Sequence, residues 1–143
     1  MNDRFKFRAK LKDIDKWVFG AYLKMLPYQP NPVGYRKPLE TEYKHLIITE
    51  GPADWGMPRE IADYEVIPET VGQCTGLKDK NGTLIYEGDI VKETVVDYID
   101  EEFLTVVCWS NLKASYNIDD TIHCEREVIG NIYENKELLD ERN

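Results

Sequence analysis

The sequence predicts a mainly β fold, a β-rich α+β protein of short antiparallel strands and hairpins. Three observations predict it. Apolar residues either alternate with polar ones or gather in short runs rich in β-branched and aromatic side chains. Glycine, proline, asparagine and aspartate punctuate those runs about every 8 to 12 residues. An apolar period of 3.6 is almost absent. The chain has 143 residues, 42% hydrophobic and 11% aromatic. A domain of that size buries roughly 68% of its extended surface, so neither a disordered tail nor a disulfide-dependent mini-protein fits.

Residues 4–12 alternate cation and apolar side chain, the mark of a half-buried strand with Phe5, Phe7, Ala9 and Leu11 facing inward. Residues 13–16 make a turn and 17–23 a second strand, together a hairpin. Residues 25–44 hold four prolines, which lack the N–H a ladder needs, so they read as a long loop. A short strand follows at 45–50, then an irregular stretch at 51–60 holding Trp55. Residues 64–67 are extended, and 68–75 continue that strand after a kink at Pro68.

The clearest local signal lies at 75–86. Asp79 can close an Asx-type turn, and Asn81-Gly82 tolerates the positive φ of a tight hairpin. Glu87-Gly88-Asp89 turns the chain into a strand at 90–96, and 97–102 is an acidic turn. The apolar run 103–109 predicts a central strand, and 110–117 a loop. A short strand at 122–124 and a last one at 127–133 complete the set. Asn135 can N-cap a short C-terminal helical turn that buries Leu138 and Leu139. Gly72, Gly76, Gly82 and Gly88 as successive hairpin turns, with Gly88-Asp89-Ile90-Val91 leading into a strand, predict an SH3-like small barrel in the C-terminal half.

All seven prolines lie at or before Pro68. Residues 1–72 hold 11 basic and 11 acidic residues, and residues 73–143 hold 7 and 16, so the net charge of −9 sits in the second half. Two lobes within one compact unit follow: 1–68, a hairpin lobe with the Pro/Tyr-rich loop, and 69–143, the barrel-like lobe. A net −9 argues against a surface that attracts nucleic acid or anionic lipid as a whole. No stretch reaches the roughly 18 apolar residues of a membrane span, and charges at alternate positions leave residues 3–8 without a signal-peptide core. A cytoplasmic protein is expected, with Cys74, Cys108 and Cys124 as small buried hydrophobes rather than a disulfide framework.

Catalytic and metal chemistry find little support. The glycine series lacks the Gly-Lys-Ser/Thr and following helix of a phosphate-binding loop. His45, His123, Cys108 and Cys124 show no zinc-type spacing, and the neighbours His123 and Cys124 would point to opposite faces of a strand. Asp100-Glu101-Glu102 and Asp119-Asp120 read as solvated turns rather than Mg²⁺ or Ca²⁺ sites. No Cys or Ser stands in a nucleophile context. The expectation is therefore no catalytic residue, no metal and no cofactor.

Two binding readings remain. Arg4, Lys6, Arg8, Lys10 and Lys12 would share one strand face at roughly 6.6 Å intervals, near a phosphate repeat, which offers a nucleic-acid ridge. Charged edge strands that prevent aggregation, paired with the acidic half, explain the same residues better. Tyr28, Tyr35 and Trp55 are candidates for protein contact, since such rings anchor interfaces at low entropy cost. The PxxP spacing from Pro27 to Pro30 reads as part of a surface loop or subunit-contact arm.

Three blocks resemble one family. Phe5-Lys6-Phe7-Arg8-Ala9 with Trp17-Val18-Phe19-Gly20 is similar to the opening of the YopX family of phage and prophage proteins. The stretch from Val71 to Gly82, running on through Ile85-Tyr86-Glu87-Gly88-Asp89-Ile90-Val91, resembles its central signature. Val128-Ile129-Gly130-Asn131-Ile132-Tyr133-Glu134-Asn135, then Leu138-Leu139, is similar to its close. Lys136 departs from the proline usual there, and 25–44 match poorly. The resemblance implies a small, mainly β, phage-type protein of a bacterial cytoplasm and no reaction, since the family is one of unknown function. The expected mode of action is non-enzymatic, by protein–protein contact or self-assembly as a homo-oligomer, with nucleic-acid binding through the basic N-terminal strand as the alternative.

Overall fold

A computed structural model describes residues 3–28, 34, 36–95, 101–118 and 124–140. The chain divides into two compact units, one of Lys6–Val71 and one that begins at Gly72 and takes in the 3-10 turn Asp3–Phe5. Both are built from antiparallel strands. The mainly β reading of the sequence is therefore correct.

The first unit is a meander of four strands, β1 (Phe7–Lys10), β2 (Trp17–Met25), β3 (Lys44–Glu50) and β4 (Ile61–Glu65), each paired with the next. The register sets Ala9 opposite Val18, and Ile47 opposite both Tyr22 and Tyr64. Period-two alternation then collects one face into a core of Ala9, Ile47 and Val66, packed by Phe7, Leu11, Val18, Tyr22 and Val71. The Tyr22 hydroxyl and His45 Nδ1 share a 2.6 Å hydrogen bond. The end of β4 returns to the end of β1 through a bridge between Leu11 and Val66, where Lys12 N–H donates to Glu65 O at 3.1 Å and Ile67 N–H to Lys10 O at 2.9 Å. Gly20 is required by close approach, since a Cβ there would sit 2.1 Å from the Ile48 carbonyl oxygen.

Two expectations change here. β1 starts at Phe7 and ends at Lys10, so Arg4 and Phe5 lie in the 3-10 turn and Phe5 is exposed rather than inward-facing. Pro68–Thr70 forms a 3-10 turn rather than continuing a strand. Proline at its first position suits the turn, and the Thr70 hydroxyl accepts from Lys10 N–H at 2.9 Å while donating to Ile67 O at 2.7 Å.

The second unit pairs β5 (Gly72–Lys78) with β6 (Leu84–Tyr86) and holds a three-stranded sheet of β7 (Asp89–Val95), β8 (Glu101–Val106) and β11 (Cys124–Asn131) in the order β11-β7-β8. A two-residue ladder joins β9 (Trp109–Ser110) to β10 (Ser115–Tyr116), and α1 (Glu137–Asp140) follows β11. Ile85, Val91, Val107 and Ile118 form the buried core, with Leu77, Tyr116 and Val128 against it.

The apolar run at 103–109 is not a central strand. β7 takes the centre, while β8 lies at the edge of its sheet with Phe103 41% exposed. The strand ends at Val106, and Asn117 caps the departing chain by accepting from Cys108 N–H and donating to Val106 O. The stretch 110–117 read as a loop contains the β9–β10 ladder. The two last strands expected are one continuous strand over its described length, β11, with Ile122 and His123 outside the described residues. Leu138 and Leu139 are half-buried. Among the described residues the strands do not close into an SH3-like barrel. Cys74 is buried as expected, but Cys108 is exposed and Cys124 half-buried, all three as free thiols.

Candidate functional site

The turn residues of the second unit bend and brace backbone. Gly82 and Gly88 lie in the turns that lead into β6 and β7, with φ of 83° and 86°, whereas Gly72 and Gly76 belong to β5, and Gly76 at φ 84° sits where the β5–β6 register shifts, a bulge rather than the expected hairpin turn. Asp79 is buried, and its Oδ1 accepts from the amides of Asn81 and Thr83, both at 2.9 Å, while Oδ2 accepts from Val128 N–H on β11 at 3.1 Å. Burial pushes the Asp79 carboxyl up, but the amides of Thr83, Val128 and Asn81 and the Thr83 side chain together outweigh it and leave the group below the usual aspartate value. Asp89, also buried, accepts from Tyr86 N–H at 2.8 Å across the turn at Glu87-Gly88.

One buried cluster has no counterpart in the sequence reading. Glu93 Oε1 accepts from Arg126 Nε at 2.8 Å and Oε2 from the Thr105 hydroxyl at 2.7 Å, with the Glu93 and Arg126 side chains 9% and 10% exposed. The three residues come from β7, β8 and β11. The available signal was the alternation of β7, which puts Glu93 on the same face as the buried Val91.

The five basic residues of the N-terminus do not form one row on a strand. Only Arg8 and Lys10 belong to β1, while Arg4 lies in the 3-10 turn, and Lys6 and Lys12 flank the strand. Arg8 stacks over the Trp17 ring at 4.8 Å. Lys10 bonds Asp15 at 2.5 Å, and Lys12 bonds Glu65 at 2.7 Å, which raises the Lys12 pKa chiefly through that hydrogen bond. The charges closest to the sheet are thus matched within the chain.

Of the aromatic candidates, Tyr28 is 82% exposed just after β2, and Tyr35 lies outside the described residues. Trp55 stands fully exposed in the loop between β3 and β4. That loop is braced at its base, where Gly51 N–H donates to Glu60 O at 2.7 Å and Arg59 pairs with Glu50. Met57 N–H donates to Asp54 O, which turns the tip around Trp55, with Gly56 at φ 76°. Met57 and Ile61 are 68% and 81% exposed beside it.

A second feature unforeseen from the sequence is a cleft of about 300 Å³ in the Gly72-onward unit, lined chiefly by Arg4, Leu77, Trp109, Ser115, Tyr116 and Ile118. The Trp109 and Tyr116 rings meet edge to face at 5.1 Å, held by their cross-strand pairing. Burial pushes the Tyr116 hydroxyl up to about 12. The neighbouring hairpin tip exposes Leu112 completely and holds Ala114 at φ 50°.

Among the described residues no group of three His, Cys, Asp or Glu side chains is placed to hold a metal ion; His123, Asp100, Asp119 and Asp120 are not among those residues. No described helix is long and apolar enough to cross a membrane. No curated protein and no solved structure matches the chain. The family model described as YopX protein matches residues 6–140, nearly the whole length, and covers all three blocks of resemblance apart from Phe5. This chain belongs to the YopX family.

Proposed function

We propose that this YopX-family chain catalyses no reaction and acts by holding another protein chain, including copies of itself, in the cytoplasm of a phage-bearing bacterium. The observation that carries this reading is Trp55, fully exposed on a loop whose base is fixed by a backbone hydrogen bond and an ion pair. An indole kept in water on a braced support gives up much apolar area and little conformational freedom when a partner covers it. The buried carboxylates support the same reading, because Asp79 and Asp89 bind backbone amides and Glu93 binds Arg126 and Thr105. Nucleic-acid binding is less well supported, because Lys10 and Lys12 already meet Asp15 and Glu65.

Sedimentation velocity from low micromolar to several hundred micromolar chain, beside capture on immobilised wild-type and Trp55→Ala protein, tests the proposal. Self-association, or a captured protein that the variant fails to retain, is expected. A strictly monomeric chain that retains nothing in a Trp55-dependent way overturns it.

A further inference from the structure

We infer that two copies of this chain pair about a two-fold axis through the outer face of the Lys6–Val71 unit, the sheet face turned away from its core. The inference rests on the contact reading above and names both the partner and the surface. Tyr22, Ile47 and Tyr64 lie side by side across β2, β3 and β4, and Tyr22 and Ile47 belong to the core. Alternation therefore puts the odd positions of β2 and β4 and the even positions of β3 on the opposite face. There Phe19, Leu23 and Met25 stand in a row along β2, 49%, 39% and 38% exposed. Ile61, opposite Glu50 at the start of β4, is more exposed still. β3 and β4 run on into the loop that carries the exposed Trp55 and Met57.

The extent of this surface points to a second copy. With full accessible areas of roughly 150–250 Å² per large side chain, the exposed parts of these six residues come to about 700 Å². The largest apolar patch of a typical monomer is about 300–600 Å², and each partner of a stable complex covers about 800 Å². An apolar face of that extent has the composition of a homodimer contact rather than of a transient one. Charges near the face are matched within the copy, Glu50 by Arg59, Lys10 by Asp15 and Glu65 by Lys12, so it requires no counter-charge from a partner. Residues 6–71 hold 10 basic and 10 acidic residues, against 8 and 17 in the rest of the chain. Two copies meeting here escape the repulsion that a contact through the acidic remainder would meet. The row on β2 also complements itself. Ala21, small and exposed, separates Phe19 from Leu23. A two-fold axis at Ala21 sets Phe19 of each copy against Leu23 of the other and brings each Trp55 loop toward the other's Met25, a contact that closes at two.

The test compares two like substitutions. Leu23→Glu puts a carboxylate into the contact twice, while Leu112→Glu makes the same exchange at a fully exposed leucine of the other unit. Circular dichroism and thermal melting check the fold of each, with Phe19→Glu as a second variant of the row. Sedimentation equilibrium of the full chain is expected to show monomer and dimer and nothing larger. Leu23→Glu is expected to weaken the dimer about 100-fold or more, and Leu112→Glu to leave it unchanged. In the unsubstituted protein, the part of the fluorescence that Trp55→Phe removes is expected to shift to shorter wavelength as concentration rises through the dimer range. An association that Leu23→Glu and Phe19→Glu leave intact, that Leu112→Glu weakens equally, or that grows beyond two overturns the inference and leaves self-association itself standing. So does a Trp55 emission that stays at its monomer wavelength in the dimer. A monomeric wild type also overturns it, while the contact reading survives if a foreign protein is still captured through Trp55.

Discussion

Asp79→Ala is the most informative single perturbation of the fold. Its carboxylate holds three backbone amides, two within the β5–β6 turn and one on β11, 49 residues along the chain. A hydrogen bond to a charged acceptor contributes about 1.5–3 kcal/mol. Asn81 and Thr83 are exposed, so water takes over most of what their amides lose, whereas the half-buried Val128 amide is left poorly satisfied. A net destabilisation of about 2–4 kcal/mol follows, equivalent to roughly 5–15 °C in melting temperature for a chain of this size. Asp79→Asn keeps an oxygen for the turn but sets an amide against Val128 N–H, and is expected to lose about half as much. The pH dependence has a definite sign. The folded carboxyl lies below its ordinary value, so its contribution is present above the unfolded pKa and is lost as pH falls through the folded one. Urea titrations of wild type and Asp79→Ala at neutral and acidic pH measure both quantities. A loss under about 1 kcal/mol at neutral pH, or a gap that widens on acidification, would refute the reasoning.

Further expectations concern other parts of the molecule. Arg126→Ala leaves the buried Glu93 carboxylate without its cation, only the Thr105 hydroxyl and Cys124 thiol remaining beside it, and is expected to cost about 3–5 kcal/mol, while Glu93→Leu with Arg126→Met costs less than Arg126→Ala alone; equal losses in denaturant would contradict the buried pairing. Thiol labelling under native conditions is expected to modify Cys108 first, Cys124 more slowly, and Cys74 only after unfolding, as mass spectrometry of timed samples would show. Single- and double-stranded DNA are expected to pass a column of immobilised protein unretained at about 50 mM salt; retention that Lys10→Glu abolishes would restore the basic segment as an interface.

What the sequence made legible was local. The β1–β2 hairpin and the Asp79–Gly82 turn are each set by residues a few positions apart, and alternation or turn chemistry reports them directly. Strand order was not legible, because it depends on which edges meet across long separations. The apolar run beginning at Phe103 looks central, yet β7 reaches that place by collecting β8 on one side and β11 on the other. Arg126 finds Glu93 across 33 residues, and no spacing rule announces such a pair. Trp55 stood out as an exposed ring in an irregular stretch. The β9–β10 hairpin did not stand out, because its turn, though it opens with Asn111, has Ala114 rather than a glycine at the positive-φ position. The basic row failed for a related reason. Periodicity reports a face, but not where a strand begins, and the 3-10 turn takes Arg4 out of it.

The central place of β7 also bears on biosynthesis. Translation delivers β7 and its neighbour β8 well before β11, so a nascent chain passes through a stage in which one flank of β7 lacks its eventual cover. During that interval the open flank of β7 presents backbone N–H and C=O groups with which a strand of another nascent chain can pair. The arrival of residues 124–131 closes that flank with the chain's own β11 and ends the exposure.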